Sequence, residues 1–216
     1  MKKRCTDVAM RLARPICITC TRPHSTCICH WVRPQSTAVE VIILQHPLEE
    51  NHAKGTGRLL HLSLSGSILL VSETLNESAL ETITQPDRQA LLLYPQTDAN
   101  DAPDTSNATA TQPALDTLIA RSGKYLRLIV LDATWRKSRK MLHLNSALQA
   151  LPRLSLRDPP PSRYAIRKAQ QTHQRSTFEA TCAALLQLGE SPEVISALLD
   201  AFDGFVAQQK SFLPLS

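Results

Sequence analysis

Residues 125–142 have the sequence YLRLIVLDATWRKSRKML, and this stretch decides the fold. Its first part, Tyr125–Leu131, is rich in Leu, Ile and Val, which is typical of a buried strand. From Thr134 to Leu148 the pattern changes to that of a helix with a basic side. A buried strand that passes directly into a helix is the unit from which α/β domains with parallel sheets are built.

Segments on both sides of this stretch repeat the pattern. Further strands are predicted at Ala38–Gln45, Ser67–Val71, Gln89–Tyr94 and, as a short strand, Arg153–Arg157. Further helices are predicted from Gly55 to about Leu62, over Pro113–Arg121, over Ser176–Leu188 and from Ser191 to about Gln209. The helix at Ser176 begins with Ser176-x-x-Glu179, the spacing of a capping box. The sequence therefore predicts an α/β domain with a mostly parallel sheet and helices on both faces.

Length and composition are those of a soluble globular protein. The chain has 216 residues, of which 43% are hydrophobic and 20% charged, and this excludes a disordered chain, a coiled coil and a collagen-like fibre. No apolar run approaches the ~20 residues of a membrane helix, and no apolar stretch follows the basic N-terminus as in a secretory signal. We therefore expect a cytoplasmic protein. The segment 96–114 is polar and low in complexity, and it is predicted to be an inserted surface loop.

Charge is distributed unevenly, although the net charge is only +5. Residues 73–118 carry eight acids and one basic residue, whereas residues 121–175 carry thirteen basic residues and two acids, Asp132 and Asp158. The first 37 residues add seven basic residues and one acid. A basic block within folded sequence indicates a surface for a polyanion, and a solvated surface with scattered cations is the simpler alternative.

Four of the six cysteines lie close together in the first 37 residues, as Cys17-x-x-Cys20 and Cys27-x-Cys29. Sulfurs at these spacings converge on one tetrahedral ion, and zinc is the usual occupant, although iron also fits. Two nearby histidines, His24 and His30, are substitute ligands. A disulfide or a redox-active Cys-x-x-Cys is the alternative, and disulfides fit poorly with a cytoplasmic chain. The chain is thus divided into a basic segment with a zinc knuckle (1–37) and a main domain (38–216).

Several polar residues follow predicted strands or precede predicted helices. Asp132 comes directly after a strand, at the end of the sheet where α/β proteins bind ligands, but an acid before a helix also serves as a helix cap. Three other motifs are weaker signals: His46-Pro47-x-Glu49 after the first strand, Gly55-Thr56-Gly57-Arg58 at a helix start, and Ser162-x-Tyr164-x-x-Arg167-Lys168 after a proline triplet.

Taken together and in order, these blocks resemble the DTW-domain family of tRNA-uridine aminocarboxypropyltransferases over roughly residues 15–210. The resemblance also rests on Thr56-Gly57-Arg58-Leu59, Asp132-x-Thr134-Trp135, Arg139-Lys140-Met141 and Ser176-Thr177-x-Glu179-Ala180. Family members often have Asn where this chain has Gly55. The family is similar in fold to SPOUT RNA methyltransferases, so the resemblance implies a SPOUT-like α/β fold with a C-terminal trefoil knot.

The resemblance also implies a reaction. The 3-amino-3-carboxypropyl group of S-adenosylmethionine is placed on N3 of a uridine in tRNA, and methylthioadenosine leaves. Asp132 is then the candidate general base for N3, with a structural zinc held by Cys17, Cys20, Cys27 and Cys29. The residues implied to contact S-adenosylmethionine are Thr134, Trp135, Ser162, Tyr164, Arg167, Lys168, Ser176, Thr177 and Glu179. Those implied to contact tRNA are His46, Glu49, Thr56, Gly57, Arg58, Arg136, Arg139 and Lys140.

Three other functions remain open at this point. A SPOUT-type RNA methyltransferase uses the same donor but transfers its methyl group. A zinc-knuckle protein that binds RNA without catalysis would not bind S-adenosylmethionine. A redox protein would depend on Cys17 and Cys20 and would have no affinity for tRNA. For Trp135, stacking on a base and a place in the core are equally compatible with the sequence.

Overall fold

A computed structural model describes residues 15–95, 125–164 and 175–212. Within these ranges five strands form one parallel sheet in the order β2-β1-β4-β3-β5. The strands are β1 (Glu40–Gln45), β2 (Ile68–Val71), β3 (Arg88–Leu93), β4 (Tyr125–Asp132) and β5 (Arg153–Leu154). The predicted parallel α/β sheet is confirmed.

Six α-helices lie in the described part of the chain. They are α1 (Gly57–Ser63), α2 (Glu77–Ile83), α3 (Trp135–Leu144), α4 (Ser146–Gln149), α5 (Thr177–Gln187) and α6 (Pro192–Ser211). Short 3-10 turns lie at His24–Thr26, Cys29–Trp31 and Pro47–Glu49. None of the described helices is both long and apolar enough to cross a bilayer.

The sheet has a hydrophobic core on each face. Because successive side chains of a strand point to opposite faces, Val41 and Ile43 belong to one core and Ile42 and Leu44 to the other. The first core includes residues of α1, α5 and α6: Leu59, Leu60, Phe178, Leu185, Phe202 and Phe205. The second includes residues of α2, α3 and α4: Ile83, Met141, Leu142 and Leu148. Helices therefore cover both faces, as predicted.

Helix α2 lies between β2 and β3, where the sequence analysis assigns no element. The side chain of its N-cap, Asn76, accepts a hydrogen bond from the Ala79 N–H at 2.9 Å. Of its seven residues only Ile83 is buried. With a single buried residue the helix has too little hydrophobic periodicity for its pattern to be recognised.

The long helix predicted to reach Leu148 is interrupted at Asn145. This residue leaves the helical conformation (φ −126°, ψ 90°), so α3 ends at Leu144 and α4 begins at Ser146. The Asn145 amide is buried and joins α3 to the loop after β2: it donates to the carbonyls of Met141 and Glu73, and it accepts the Leu75 N–H at 2.7 Å. An Asn that satisfies backbone groups in this way stops a helix.

The last strand is shorter than predicted. β5 contains only Arg153 and Leu154, because the backbone beyond it bonds to a side chain of α5. Gln187 donates to the Ser155 carbonyl at 3.1 Å and accepts from the Arg157 N–H at 3.1 Å. The predicted loop at 96–114 and the predicted helix at 113–121 lie outside the described residues.

The cysteine-containing segment packs against α6. Cys20 and Ile28 are buried in the same core as Phe205. The Trp31 ring lies on Gly204, where an added Cβ would come within 2.1 Å of a ring carbon, so the close contact depends on glycine. The Trp31 indole N–H donates to Gln208 Oε1 at 2.7 Å, and Gln208 Nε2 donates to the Cys27 carbonyl at 3.0 Å.

Candidate active site

Asp132 lies at the carboxyl end of β4, directly beside Gln45 at the end of β1. Its carboxylate is held from two sides. Gln45 Nε2 donates to Oδ2 at 2.7 Å, and the Thr177 hydroxyl donates to Oδ1 at 2.7 Å. Thr177 is the first residue of α5, whose positive N-terminal end favours a negative charge nearby. Asp132 is only 5% exposed, so its carboxylate is fixed in orientation and shielded from bulk water.

Gly57 allows α1 to approach this carboxylate. A Cβ at Gly57 would lie 2.2 Å from Asp132 Oδ2 and 3.1 Å from Gln45 Nε2, well inside van der Waals contact with the carboxylate. The preceding Thr56 is buried as well, and its hydroxyl accepts the Phe178 N–H at 3.4 Å. The Thr-Gly motif therefore joins α1 and α5 around Asp132.

The helix-cap alternative for Asp132 is not what the structure contains. The N-cap of α3 is Thr134, and no side-chain hydrogen bond caps this helix. The Asp132 carboxylate instead bonds to β1 and α5. Capping of α3 therefore does not explain the position of Asp132.

Ion pairs connect α3 to the ends of β1 and β2. Lys137 Nζ lies 2.7 Å from the carboxylate of Glu49, which is buried. The buried His46 accepts the Leu48 N–H at Nδ1, so its Nε2 donates to Glu73, at 3.1 Å. Lys140 contacts the same carboxylate at 2.9 Å. Hydrogen bonds from Lys140 and His46 lower the pKa of Glu73.

One side of α3 is basic and exposed. Arg136, Arg139, Lys140 and His143 follow the i, i+3, i+4, i+7 spacing of a single helix face, and all four are exposed. The opposite face is buried, through Ser138, Met141 and Leu142. The first residue of the helix, Trp135, is 41% exposed and touches Tyr94 only edge-on, with ring centroids 6.0 Å apart. The alternative that places Trp135 in the core is wrong.

Glu179 ties the segment before α5 to that helix. Its carboxylate accepts hydrogen bonds from the Ser162 hydroxyl, the Arg163 N–H, and both the N–H and the hydroxyl of Ser176. The Glu179 N–H bonds back to Ser176 Oγ, which completes the predicted capping box. Tyr164, also buried, donates its hydroxyl proton to the Lys54 carbonyl.

The four clustered cysteines bring their sulfurs together. Their Sγ atoms lie within 4.8 Å of one another, with Cys17 to Cys29 at 3.6 Å and Cys20 to Cys27 at 3.7 Å. A tetrahedral zinc with Zn–S bonds of ~2.3 Å separates its ligands by about 3.8 Å, whereas a disulfide requires ~2.05 Å. The thiols are free, and hydrogen bonds from the backbone of Cys20 and Thr19 lower the pKa of Cys17 to about 6. The substitute ligands His24 and His30 are exposed and lie outside the cluster.

Comparison with known proteins identifies the family. The DTW domain model matches residues 14–210. The chain belongs to the DTW domain family.

Curated relatives of this DTW domain carry related names. The chain is 28% identical over 214 residues to tRNA-uridine aminocarboxypropyltransferase 2 of Mus musculus, with 94% of this chain and 67% of that protein covered. It is 32% identical over 135 residues to tRNA-uridine aminocarboxypropyltransferase A of Arabidopsis thaliana, with 60% and 50% covered. It is 27% identical over 191 residues to tRNA-uridine aminocarboxypropyltransferase 2 of Drosophila melanogaster, with 85% of this chain and 70% of that protein covered. The chain thus spans half to 70% of these relatives. No solved structure matches.

Besides Tyr164, the clustered cysteines and the residues at α3, the predicted site residues of the DTW domain fall into three groups. Thr56, Gly57 and Thr177 lie around Asp132. His46, Glu49, Ser162, Ser176 and Glu179 are engaged in contacts within the protein, and Arg58 reaches the Thr21 hydroxyl at 3.4 Å. Arg167 and Lys168 lie outside the described residues. The roles assigned to all of these residues toward S-adenosylmethionine and tRNA stay predictions.

Sequence analysis missed Gln45, the partner of Asp132 in the DTW domain. Gln45 ends a predicted strand and immediately precedes His46-Pro47, so its place at the carboxyl end of that strand could be predicted from the sequence. Glutamine in a strand has no chemistry of its own that marks a site. Only the pairing of β1 with β4, which is a long-range contact, places its amide against the carboxylate.

Proposed function

We propose that this DTW domain transfers the 3-amino-3-carboxypropyl group of S-adenosylmethionine to N3 of a uridine in tRNA. Family membership and the names of the curated relatives support this function. The observation that carries it is the Asp132 carboxylate, held by Gln45 and Thr177 at the carboxyl ends of β1 and β4. In open parallel sheets this edge is where substrates bind.

The residues present fit such a donor. The Oε1 atom of Gln45 is buried without a hydrogen-bond partner in the described residues, so an acceptor is available beside the carboxylate. When bound, S-adenosylmethionine supplies an electrophilic carbon joined to a sulfonium leaving group. Trp135 offers an exposed ring for stacking on an adenine or a uracil. In the same proposal Thr134, Ser162 and Tyr164 contact the donor, and the C-terminal part adopts the SPOUT-like trefoil knot.

Asp132 is proposed as the base. The N3–H of uridine is a weak acid, so a positioned carboxylate that accepts the proton speeds attack by the nitrogen. Gln45 donates a hydrogen bond to one oxygen of this carboxylate and Thr177 to the other. Because the orientation is already set by these two donors, little reorganisation accompanies proton transfer.

The basic face of α3 is proposed to bind tRNA through phosphates. Arg136 and Arg139 are exposed and form no ion pair with the described residues, so both guanidinium groups are available to an anion. Arginine forms bidentate hydrogen bonds with phosphate. The knuckle, with zinc on its four cysteines, is proposed as a structural support that packs on α6.

Product analysis tests the proposed function. Purified protein is incubated with S-adenosylmethionine and tRNA that lacks the modification, and the nucleosides and the small-molecule product are identified by mass spectrometry. We expect aminocarboxypropyl-uridine together with methylthioadenosine. S-adenosylhomocysteine and a methylated nucleoside would instead indicate an RNA methyltransferase. Binding of tRNA with no reaction and no affinity for S-adenosylmethionine would indicate a non-catalytic RNA-binding protein.

A further inference from the structure

Arg22 connects the cysteine-containing segment to the loop before α1. It lies between Cys20 and Cys27 in the chain, and its guanidinium bonds to two carbonyls of that loop. Nη1 donates to the Ala53 carbonyl at 2.6 Å, and Nη2 donates to the Gly55 carbonyl at 2.9 Å. Because the donors of a guanidinium are fixed in one plane, these two bonds set the spacing of the carbonyls as well as the position of the loop.

The Arg22 guanidinium is also held by α6. Its carbon lies 5.3 Å from the centroid of the Phe205 ring, and a cation over an aromatic face is attracted to it. Phe205 is fully buried in the core, so the ring is a fixed support. Arg22 therefore joins the loop before α1 to a helix of the core.

A second side chain holds the same loop. Tyr164 is buried in the segment before α5 and donates its hydroxyl proton to the Lys54 carbonyl. The carbonyls of residues 53–55 thus all accept hydrogen bonds from side chains of distant segments. Ala53 is exposed, and water satisfies the carbonyls of most surface loops. The side-chain donors restrict the position of the loop in a way that water does not.

This loop leads directly into the candidate active site. Thr56 and Gly57 follow it, and a Cβ at Gly57 would lie 2.2 Å from Asp132 Oδ2. The Thr56 hydroxyl accepts the Phe178 N–H of α5 at 3.4 Å. With so little space between α1 and the carboxylate, a small displacement of the loop changes the packing around Asp132.

We propose that Arg22 is a positioning residue for the transfer: it holds the loop 53–55 so that Thr56 and Gly57 keep Asp132 in its reactive orientation. This inference rests on the proposed function and adds to it a link between the cysteine-containing segment and the active site. A misplacement of about 1 Å at a reacting group lowers a rate by about 10²-fold. The effect of a relaxed loop is therefore expected in the rate of transfer and not in the affinity for tRNA.

Amide hydrogen exchange, followed by NMR, tests whether Arg22 holds the loop. Arg22→Lys keeps the charge but replaces the planar fork with a flexible ammonium. The Gly55 N–H bonds to the His52 carbonyl at 2.8 Å, and its exchange should become about tenfold faster in the variant. The acceleration should be larger than at Leu44 in the centre of the sheet, which reports global unfolding.

Single-turnover kinetics test the effect on the reaction. At saturating S-adenosylmethionine and tRNA, we expect Arg22→Lys to lower the rate about tenfold or more, with tRNA affinity within about twofold of the wild type. Arg33→Lys is the matched control. Arg33 is exposed in the same segment and donates to the nearby carbonyls of His30 and Val32, so its replacement should change neither quantity.

Three results would overturn the inference. They are equal acceleration of exchange at Gly55 and Leu44, an unchanged rate at saturating substrates, and a loss confined to tRNA affinity, which would make Arg22 an RNA contact. If Arg22→Lys does not fold, the wild-type protein decides: Gly55 should be protected like Leu60, whose N–H bonds to the Thr56 carbonyl at 3.0 Å, and exchange as fast as in an open loop would reject the role.

Failure of the proposed function gives a different result. A wild-type protein that forms no aminocarboxypropyl-uridine rejects that function, whereas the exchange measurement needs no catalysis and still decides whether Arg22 holds the loop. A wild-type protein that forms the product while Arg22→Lys reacts equally fast rejects only the role of Arg22.

Discussion

At the residue scale, position 57 requires glycine because there is no room for a Cβ beside the Asp132 carboxylate. An alanine there would place its Cβ 2.2 Å from a carboxylate oxygen that Gln45 and Thr177 hold in place. The Asp132 side chain must then move and lose at least one of those bonds. We predict that Gly57→Ala lowers the free energy of unfolding by about 1–3 kcal/mol, as overpacking does. The transfer rate should fall at least tenfold.

A double-mutant cycle checks the cause. In an Asp132→Ala background the clashing carboxylate is gone, so Gly57→Ala should cost much less stability in urea unfolding than it does in the wild type. If the cost is the same in both backgrounds, the substitution acts through something other than the carboxylate.

The same residues show what sequence can predict about the site. Asp132 follows a strand and precedes a helix, so its place at the binding edge is predictable from local pattern. Ser176 and Glu179 have the spacing of a capping box, and the structure confirms it. The bond from Thr177 to Asp132 spans 45 positions, and that from Gln45 spans 87, so neither has a local signal. The resemblance to the family pointed to Thr177 and Asp132 but not to Gln45.

At the scale of elements, α3 combines a buried face with an exposed basic face. Phosphate contacts release counterions, so tRNA affinity should fall steeply with salt. We predict that Arg136→Glu combined with Arg139→Glu weakens tRNA binding at least tenfold near 0.1 M salt and reduces the slope of affinity against salt. Titration by fluorescence anisotropy measures both quantities.

A charge reversal elsewhere provides the control for α3. Lys210 is exposed on α6, which packs on the other face of the sheet, so Lys210→Glu should have a much smaller effect than Arg136→Glu alone, which changes the net charge by the same amount. Equal losses in the two proteins would show that tRNA responds to net charge and not to α3. The α3 variant should bind S-adenosylhomocysteine as the wild type does.

The elements themselves were predictable to different degrees. The central residues of β1 and β4 are mostly apolar and buried on both faces, and their sequence patterns are strong. α2 has one buried residue, and the end of α3 depends on hydrogen bonds between Asn145 and the loop after β2, which is far away in the chain. Weak periodicity and long-range contacts are the two reasons why the prediction failed at these places.

At the scale of the whole molecule, the segment with the four clustered cysteines and the sheet share one hydrophobic core. Cys20 and Ile28 are buried in it, and Trp31 packs on α6. We predict about one equivalent of zinc in the purified protein, because four sulfurs at these separations form a complete tetrahedral site. Removal of zinc by a chelator should lower the melting temperature of the whole domain, since metal binding and folding are coupled.

Two cysteine variants test the zinc prediction. Cys20→Ser should lose zinc and stability together. Cys182→Ser should keep the metal, because Cys182 is buried in α5, outside the cluster, where burial raises the pKa of its thiol to about 12. Metal analysis that finds no zinc or iron in the wild-type protein would contradict the knuckle.

The central claim is that the transfer takes place at Asp132, and single-turnover formation of modified uridine tests it most directly. Asp132→Asn keeps the size of the side chain and removes its charge and most of its basicity. We predict a loss of ~10²-fold or more in rate, with the affinities for S-adenosylhomocysteine and tRNA little changed and the protein still folded. Asp158→Asn, an exposed acid in the same basic block, should react like the wild type. Near wild-type turnover by Asp132→Asn would contradict the assignment of Asp132 as the base.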